Sequence, residues 1–198
     1  MEIPGDERIF ALHEKHAPTK EAFELVHTHC QIVCRIAEQL LGRAGDGIDA
    51  DLVRAGCLLH DIGVYRLYDG TGELDHAAYI RHGVLGHELL AEGGFSEAIC
   101  RFCSCHTGVG LGPGDVRRQR LPLPAGDYRA RSREERLVMY ADKFHSKSSP
   151  PTFVSADTYA VDVRRFGADK VAVFAAMREE FGEPDLAALR AAYGHALR

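Results

Sequence analysis

The sequence predicts an all-α protein, and two observations support this fold class. Apolar residues recur at the 3.6-residue spacing of helices along most of the chain, and no long alternating or β-branched run predicts a strand. With 45% hydrophobic residues, the 198-residue chain is expected to form one domain, residues 1–198, with a buried core. The predicted helices cover about residues 20–41, 51–62, 76–92, 97–106, 133–147, 168–181 and 185–197.

Each of the first four helices has a recognisable start or stop signal. Thr19 is suited to cap the first helix, and Gly42 is suited to end it. The second helix is expected to stop at Gly63 and the third at Gly93–Gly94. Ser96 is the expected cap of the fourth helix.

The second half of the chain begins with an expected loop. Residues 107–131 are rich in Gly, Pro and Arg and are predicted to be ordered without forming a helix. Ser132 and Glu135 then form a capping-box pattern that opens the next helix. Pro150–Pro151 breaks the chain, and Pro184 suits the first turn of the last helix.

Composition argues against several classes of protein. The net charge of −5 gives no general attraction to nucleic acid or to acidic membranes, so neither a nucleic-acid polymer nor a membrane is an expected partner. No apolar stretch is long enough to cross a bilayer, and the acidic start of the chain is unlike a secretory signal. We therefore expect a cytoplasmic protein whose six cysteines are reduced.

A separate zinc site at the cysteines is not expected. Cys100, Cys103 and Cys105 share one predicted helix with His106, and four ligands on one helix cannot surround a metal tetrahedrally.

Helical phase separates the histidines of the first long helix. His29 lies at the centre of an apolar stripe, whereas His27 lies almost opposite, among charged residues. We therefore expect His29 to be buried and His27 to be solvated. A single histidine on an apolar face is more often a hydrogen-bonded core residue than a ligand. The stripe consists of Ala22, Leu25, Val26, Ile32, Val33, Ile36 and Leu40.

The next helix makes a metal site more plausible, because apolar and small residues nearly encircle it and it ends at His60 and Asp61. A buried carboxylate is costly unless it is compensated, and a divalent cation compensates it well. The alternative is a buried His–Asp hydrogen bond.

Further along, helical phase directs His82 rather than His87 toward the core. The inward groups are His29, His60, Asp61, His82, His106 and Asp142; those expected to be surface or structural are His13, His16, His76, His145 and His195.

The order His, His-Asp, His, His, Asp resembles the HD-domain superfamily of metal-dependent phosphohydrolases. The segments that carry the resemblance are HCQIV, AGCLLHDIG, RHGVLGH, CHTGVG and YADK. It covers about residues 20–150 and implies a helical HD core, with residues 151–198 as a helical extension. It also implies two divalent ions bridged by Asp61. The implied ligands are His29, His60 and Asp142 for one ion and His82 and His106 for the other.

The resemblance further implies a phosphohydrolase that acts on a small phosphorylated metabolite, most commonly a nucleotide, through a metal-activated water at Asp61 and His60. Two alternatives stay open. Some HD-fold proteins are mixed-valent diiron oxygenases with the same ligand order, similar to myo-inositol oxygenase, and a non-catalytic nucleotide-binding module is also conceivable. The ligands do not distinguish among Fe, Mn, Co, Ni, Zn and Mg.

A basic stretch between two of the ligand segments is a candidate phosphate site. Arg117 and Arg118 within it, together with Lys143 beyond it, are the predicted substrate contacts, because guanidinium and ammonium groups bind phosphate oxygens. The alternative is a solvated surface, which is the usual role of an arginine-rich segment.

Overall fold

The computed structural model describes residues 2–198, and this part of the chain is all-α apart from one small sheet. Its helices are α1 (Asp6–His16), α2 (Lys20–Leu41), α3 (Ala50–Leu59), α4 (His82–Glu92), α5 (Glu97–Cys105), α6 (Pro113–Arg118), α7 (Arg133–Ala141), α8 (Ala156–Asp162), α9 (Ala168–Phe181) and α10 (Ala187–Tyr193). Four 3₁₀ segments span Ile62–Leu67, Tyr79–Arg81, Asp142–Phe144 and Val163–Phe166. The strands are β1 (His145–Ser146), β2 (Thr152–Phe153) and β3 (Ala196–Leu197).

Helix α2 is the central element, and its predicted bounds and cap are confirmed. The Thr19 hydroxyl accepts a hydrogen bond from the backbone N–H of Ala22, which satisfies one of the free donors of the first turn. The predicted apolar stripe is buried except for Leu25, which is half-buried. Because α2 packs on both α3 and α7, its inward face lies at the middle of the bundle.

The second and third predicted helices differ from the structure at the ends that face the site. Helix α3 ends at Leu59, and the chain continues through Gly63 as a 3₁₀ helix, so the predicted stop at Gly63 is wrong. Helix α4 begins at His82 instead of near residue 76. Before it, the Asp75 carboxylate accepts a hydrogen bond from the Ala78 N–H and stabilises a local turn.

Several other elements were not predicted from the sequence. The expected loop 107–131 contains the short helix α6, and the helix opened by the Ser132–Glu135 capping box ends at Ala141, before the chain turns into β1. The last helix also ends early, at Tyr193, ahead of β3. Helices α1 and α8 were not predicted either. Strands of two residues are too short to carry a readable pattern.

The small sheet and α9 join the C-terminal residues to the rest of the molecule. Strand β1 pairs antiparallel with β2, and β2 pairs parallel with β3. Helix α9 has its predicted bounds and packs on α7. Phe174 and Phe181 of α9 belong to the same hydrophobic core as Ile9 of α1. Across residues 2–198, no helix combines the length and apolarity that a membrane crossing needs.

Two glycines allow the backbone after Asp61 to approach α4 closely. A Cβ on Gly63 would overlap the carbonyl oxygen of His82 and the backbone nitrogen of Gly86. Gly86 itself faces Cys103 of α5, where a Cβ would lie 3.0 Å from the sulfur. This contact fixes how far the start of α4 lies from Asp61.

We expect Gly63→Ala to destabilise the fold by about 3 kcal/mol, because the added methyl group meets backbone atoms that cannot rotate away. Gly70→Ala is the matched control, since nothing lies within 4 Å of the position of its Cβ, and its effect should stay within about 0.5 kcal/mol. Denaturant unfolding of both variants measures the difference. Equal stability of the two variants would contradict the proposed constraint.

Candidate metal centre

The structure brings the six predicted ligand residues together at the ends of helices. His60 is the C-cap of α3 and Asp61 follows it, while His106 and Asp142 are the C-caps of α5 and α7. His82 is the first residue of α4. His29 is the exception, because it lies in the interior of α2. A residue at a helix end can direct its side chain beyond the helix, so several helices converge on one point.

One half of the cluster surrounds one oxygen of Asp61. The Oδ2 atom of Asp61 lies 3.2 Å from Nε2 of His29 and 3.5 Å from Nε2 of His60. The Oδ1 atom of Asp142 lies 3.0 Å and 3.5 Å from the same two nitrogens.

The other half of the cluster surrounds the second oxygen of Asp61. Its Oδ1 atom lies 3.5 Å from Nε2 of His82 and 3.5 Å from Nε2 of His106. Those two nitrogens are 2.9 Å apart. Asp61 thus presents one carboxylate oxygen to each pair of histidines.

These residues fit a cation. Asp61 is fully buried, and its Oδ1 atom has no hydrogen-bond partner among residues 2–198. A buried carboxylate oxygen without a partner is costly, and a bound cation would remove that cost. Two groups in the described chain have ligand atoms that all lie within 4.8 Å of one another: His29, His60 and Asp142, and His60, Asp61 and His106. Imidazole and carboxylate suit a divalent transition metal.

Backbone carbonyls set the orientation of three of the histidines. The Nδ1 atom of His60 lies 2.7 Å from the Cys57 carbonyl oxygen, and that of His106 lies 3.1 Å from the Phe102 carbonyl oxygen. For His82 the corresponding distance, to the Tyr79 carbonyl oxygen, is 2.6 Å. When Nδ1–H donates to a carbonyl, Nε2 keeps its lone pair and can bind a metal.

His29 is held differently, by His145, which was not among the predicted ligands. Its Nδ1 lies 2.8 Å from Nδ1 of His145, and Nε2 of His145 lies 3.0 Å from Nδ1 of His195. His145 is buried and His195 is half-buried. No periodic signal marks them, because the short sheet brings them to the cluster.

Lysines compensate the carboxylates electrostatically. Burial opposes ionisation of Asp61, but Lys147 and His60 hold the pKa of its carboxyl well below the usual range. The pKa of Asp142 is also low, since Lys143 and His29 outweigh its burial. Both carboxylates therefore carry a negative charge at neutral pH.

The histidines respond to burial in two ways. Burial lowers the pKa of His82 to about 3 and also lowers that of His106, so both rings are neutral at pH 7, the form that binds metal. Burial also opposes a charge on His60, but Cys30 and Asp61 raise the pKa of His60 well above its usual range. A proton and a metal ion would therefore compete for His60.

A family model described as the HD domain matches residues 26–147, a segment that holds all six residues of the cluster. The chain belongs to the HD-domain family. It is 36% identical over 122 residues to an uncharacterized protein of Methanocaldococcus jannaschii, a match that covers 60% of this chain and 65% of that protein. It is 34% identical over 130 residues to the tRNA (cytidine(56)-2'-O)-methyltransferase of Picrophilus torridus, which covers 65% of this chain and 33% of the methyltransferase. The chain thus spans less than two thirds of the length of each relative.

Solved HD domains share the fold. The HD domain of the L. monocytogenes phosphodiesterase PgpH superposes with a TM-score of 0.54 at 17% identity, covering 95% of this chain and 100% of that domain. The same domain in complex with cyclic-di-AMP gives a TM-score of 0.55 at 15% identity, covering 96% and 99% of the two chains.

A cavity of about 800 Å³ opens onto the cluster of the six predicted ligand residues, which we call the HD cluster. Its lining includes Asp61, Tyr79, Lys143, Lys147 and Tyr159. The ammonium group of Lys147 donates directly to Oδ2 of Asp61. Lys147 was not among the predicted substrate contacts, because its helix was expected to continue through this residue.

The predicted substrate contacts fall in two places. Lys143 lines the cavity, where its ammonium donates to the His106 carbonyl at 3.0 Å and to Asp142 Oδ2 at 2.7 Å. Arg117 and Arg118 are exposed on α6 and are not among the residues that line the cavity. Arg118 instead forms an ion pair with Asp115. The role of the two arginines in substrate binding stays a prediction.

The remaining histidines and cysteines lie outside the HD cluster. His27 faces away from the cluster, but it is half-buried and its ring stacks on Phe23 at 4.9 Å, so the expectation of a solvated residue is wrong. The unpredicted helix α1 is the reason, since Phe10 packs on the same ring. His13 of α1 is fully buried and lies 2.8 Å from the Tyr65 hydroxyl. All six cysteines are buried free thiols.

Asp61→Ala is expected to remove most bound metal, because one side chain faces both histidine pairs. His27→Ala is the control, since its ring belongs to α2 but not to the cluster, and its metal content should match that of the wild type. Elemental analysis after metal loading and desalting provides the measurement. Equal loss in the two variants would show that the cluster is not the metal site.

His82→Ala tests the two halves of the cluster separately. If each half holds an ion, this variant should keep about one metal per chain, because His29, His60 and Asp142 are untouched. A titration that counts bound ions per chain checks this result. Saturation of the wild type at a single ion would contradict the two-ion arrangement.

Proposed function

We propose that this protein is a divalent-metal-dependent phosphohydrolase with two metal ions, acting on a small phosphorylated metabolite of the nucleotide class. The observation that carries the proposal is the position of Asp61. Each of its carboxylate oxygens faces a different histidine pair, and one of the two oxygens lacks a hydrogen-bond partner among the described residues.

In the proposed centre, His29, His60 and Asp142 would hold one ion, His82 and His106 would hold the other, and Asp61 would contribute to both. Bound there, two divalent ions would supply an activated water and would neutralise charge on phosphate oxygens. The protein's own contribution is to fix the ligands through their hydrogen-bonded Nδ1 atoms and to keep the cluster buried. No side chain in the cavity then needs to act as a covalent nucleophile.

The cavity offers two ammonium groups to an anionic substrate. Lys143 and Lys147 both line it, and each also contacts a carboxylate of the cluster. A cation in a largely buried site attracts phosphate more strongly than an exposed one, because water screens it less. We therefore place the substrate phosphate in the cavity beside the metal ligands, within reach of these lysines.

The size and lining of the cavity support a nucleotide as the substrate. A volume of about 800 Å³ falls within the range of small-molecule sites and exceeds the needs of a phosphate alone. Tyr79 and Tyr159 give the cavity aromatic surface on which a planar base can pack. The complex of the PgpH HD domain with cyclic-di-AMP shows a nucleotide on a domain of this fold.

A diiron oxygenase of this fold, the alternative activity, would use the same ligands. Dependence on oxygen therefore separates an oxygenase from a phosphohydrolase. We expect phosphate or nucleotide release to proceed at the same rate under strictly anaerobic conditions, with manganese or cobalt able to replace iron. A coupled phosphate assay in an anaerobic chamber, run on a panel of mono-, di- and triphosphates, tests this. A requirement for iron together with oxygen consumption in step with product would overturn the proposal.

Lys147→Gln is expected to raise KM about tenfold, since it removes an ammonium group from the cavity. Arg117→Ala/Arg118→Ala is the comparison, because these exposed side chains lie outside the lining and their removal should change KM less. Steady-state kinetics on one substrate series measures both variants. A larger effect from the arginine pair would place the phosphate at α6 instead of at the lysines.

A further inference from the structure

We propose that His195 and His145 form a positioning chain for His29, so that the C-terminal segment completes the metal centre. The inference rests on the proposed metal centre and adds to it two residues that belong to neither histidine pair. His195 lies at the turn between α10 and β3, well outside the segment that matches the family model.

The three imidazoles form a continuous edge-to-edge row from the cluster toward the surface. The rings of His29 and His145 are 5.1 Å apart at 28°, and those of His145 and His195 are 5.2 Å apart at 22°. Ring nitrogens face each other at both steps, at 2.8 Å and 3.0 Å. These distances are those of hydrogen bonds, so the three rings are joined through their nitrogens and do more than fill space.

If His29 binds a metal, the direction of both hydrogen bonds in the positioning chain is fixed. If Nε2 of His29 offers its lone pair to the cluster, its proton lies on Nδ1 and is donated to Nδ1 of His145. His145 then carries its proton on Nε2 and donates it to Nδ1 of His195. His195 is thus the final acceptor, and it holds the orientation and tautomer of the two rings before it.

The position of His29 explains why this ligand needs side-chain support. The other three histidines lie at helix ends, where carbonyl oxygens of the adjoining turn accept from Nδ1. His29 lies within α2, where the carbonyl oxygens already accept hydrogen bonds from the next turn. Another side chain must therefore take the proton on its Nδ1, and His145 is placed to do so.

The small sheet places the two supporting histidines. His145 is opposite Phe153 in the β1–β2 pair, and Phe153 is opposite Leu197 in the β2–β3 pair. The N–H of Arg198 donates to the Phe153 carbonyl at 3.0 Å, and the Arg198 carbonyl accepts from Ser155 N–H at 2.9 Å. These bonds hold the last residues beside β2 and so hold His195 against His145.

His195→Ala and His195→Asn test the positioning chain at its accessible end, His195, where a substitution is tolerated more readily than in the core. The alanine variant loses the acceptor for His145, and we expect it to bind Co²⁺ at least tenfold more weakly, as is usual when a residue that supports a metal ligand is removed. The asparagine variant places an amide oxygen near the position of Nδ1 and should recover most of the affinity. Competition with a chromophoric chelator gives the dissociation constants, and the visible Co²⁺ spectrum reports ligand geometry.

His16→Ala is the matched control, since His16 is also half-buried but lies on α1, outside the cluster. Wild-type affinity in His195→Ala, or equal loss in the alanine and asparagine variants, would overturn the positioning chain. Metal binding is measured without substrate, so a wild type that binds metal but hydrolyses nothing overturns the proposed function alone. A wild type that binds no Co²⁺ overturns the metal centre and the chain together.

Discussion

The buried carboxylate of Asp61 is the constraint on which the arrangement of the molecule depends. A fully buried charge costs several kcal/mol unless its surroundings compensate it. Here two histidine pairs face its two oxygens and a lysine contacts one of them, yet the other oxygen has no hydrogen bond within the described chain. The helices must end close to this carboxylate to bring compensating groups to it, and this requirement organises the middle of the bundle.

Helix ends provide most of the residues of the cluster and the carbonyl groups that orient three of its histidines. A histidine one turn beyond a helix carbonyl can donate to that carbonyl and direct its other nitrogen away from the helix. His60 and His106 both do this, so the packing of α3 and α5 sets the positions of their Nε2 atoms. Gly63 and Gly86 allow α4 to approach closely enough for His82 to join them. The close packing of the core therefore sets the distances between the side chains of the site.

The small sheet brings further residues to the same cluster. A sheet of three two-residue strands would be unstable alone, but it packs beside α2, and α9 adds aromatic residues to the common core. As a result His145 lies against His29, and Lys147 reaches Asp61 from just beyond β1. His145 and Lys147 thus follow Asp142 closely in sequence, but they reach the cluster only because the chain leaves its helical path after Asp142.

The sequence by itself determined the helical class, the bounds of α2 and α9, and the six residues of the cluster, because helical periodicity and caps are local and a histidine on an apolar face is visible in one helix. Tertiary contacts set the start of α4, the end of α7, the burial of His27 under α1, and the placement of His145, His195 and Lys147 beside the cluster. Those features arise from contacts between residues distant along the chain, such as the close approach of Gly63 to α4 and the pairing of β2 with β3. Such contacts leave no periodic pattern in either partner, so they emerge only when the chain has packed around its buried carboxylate.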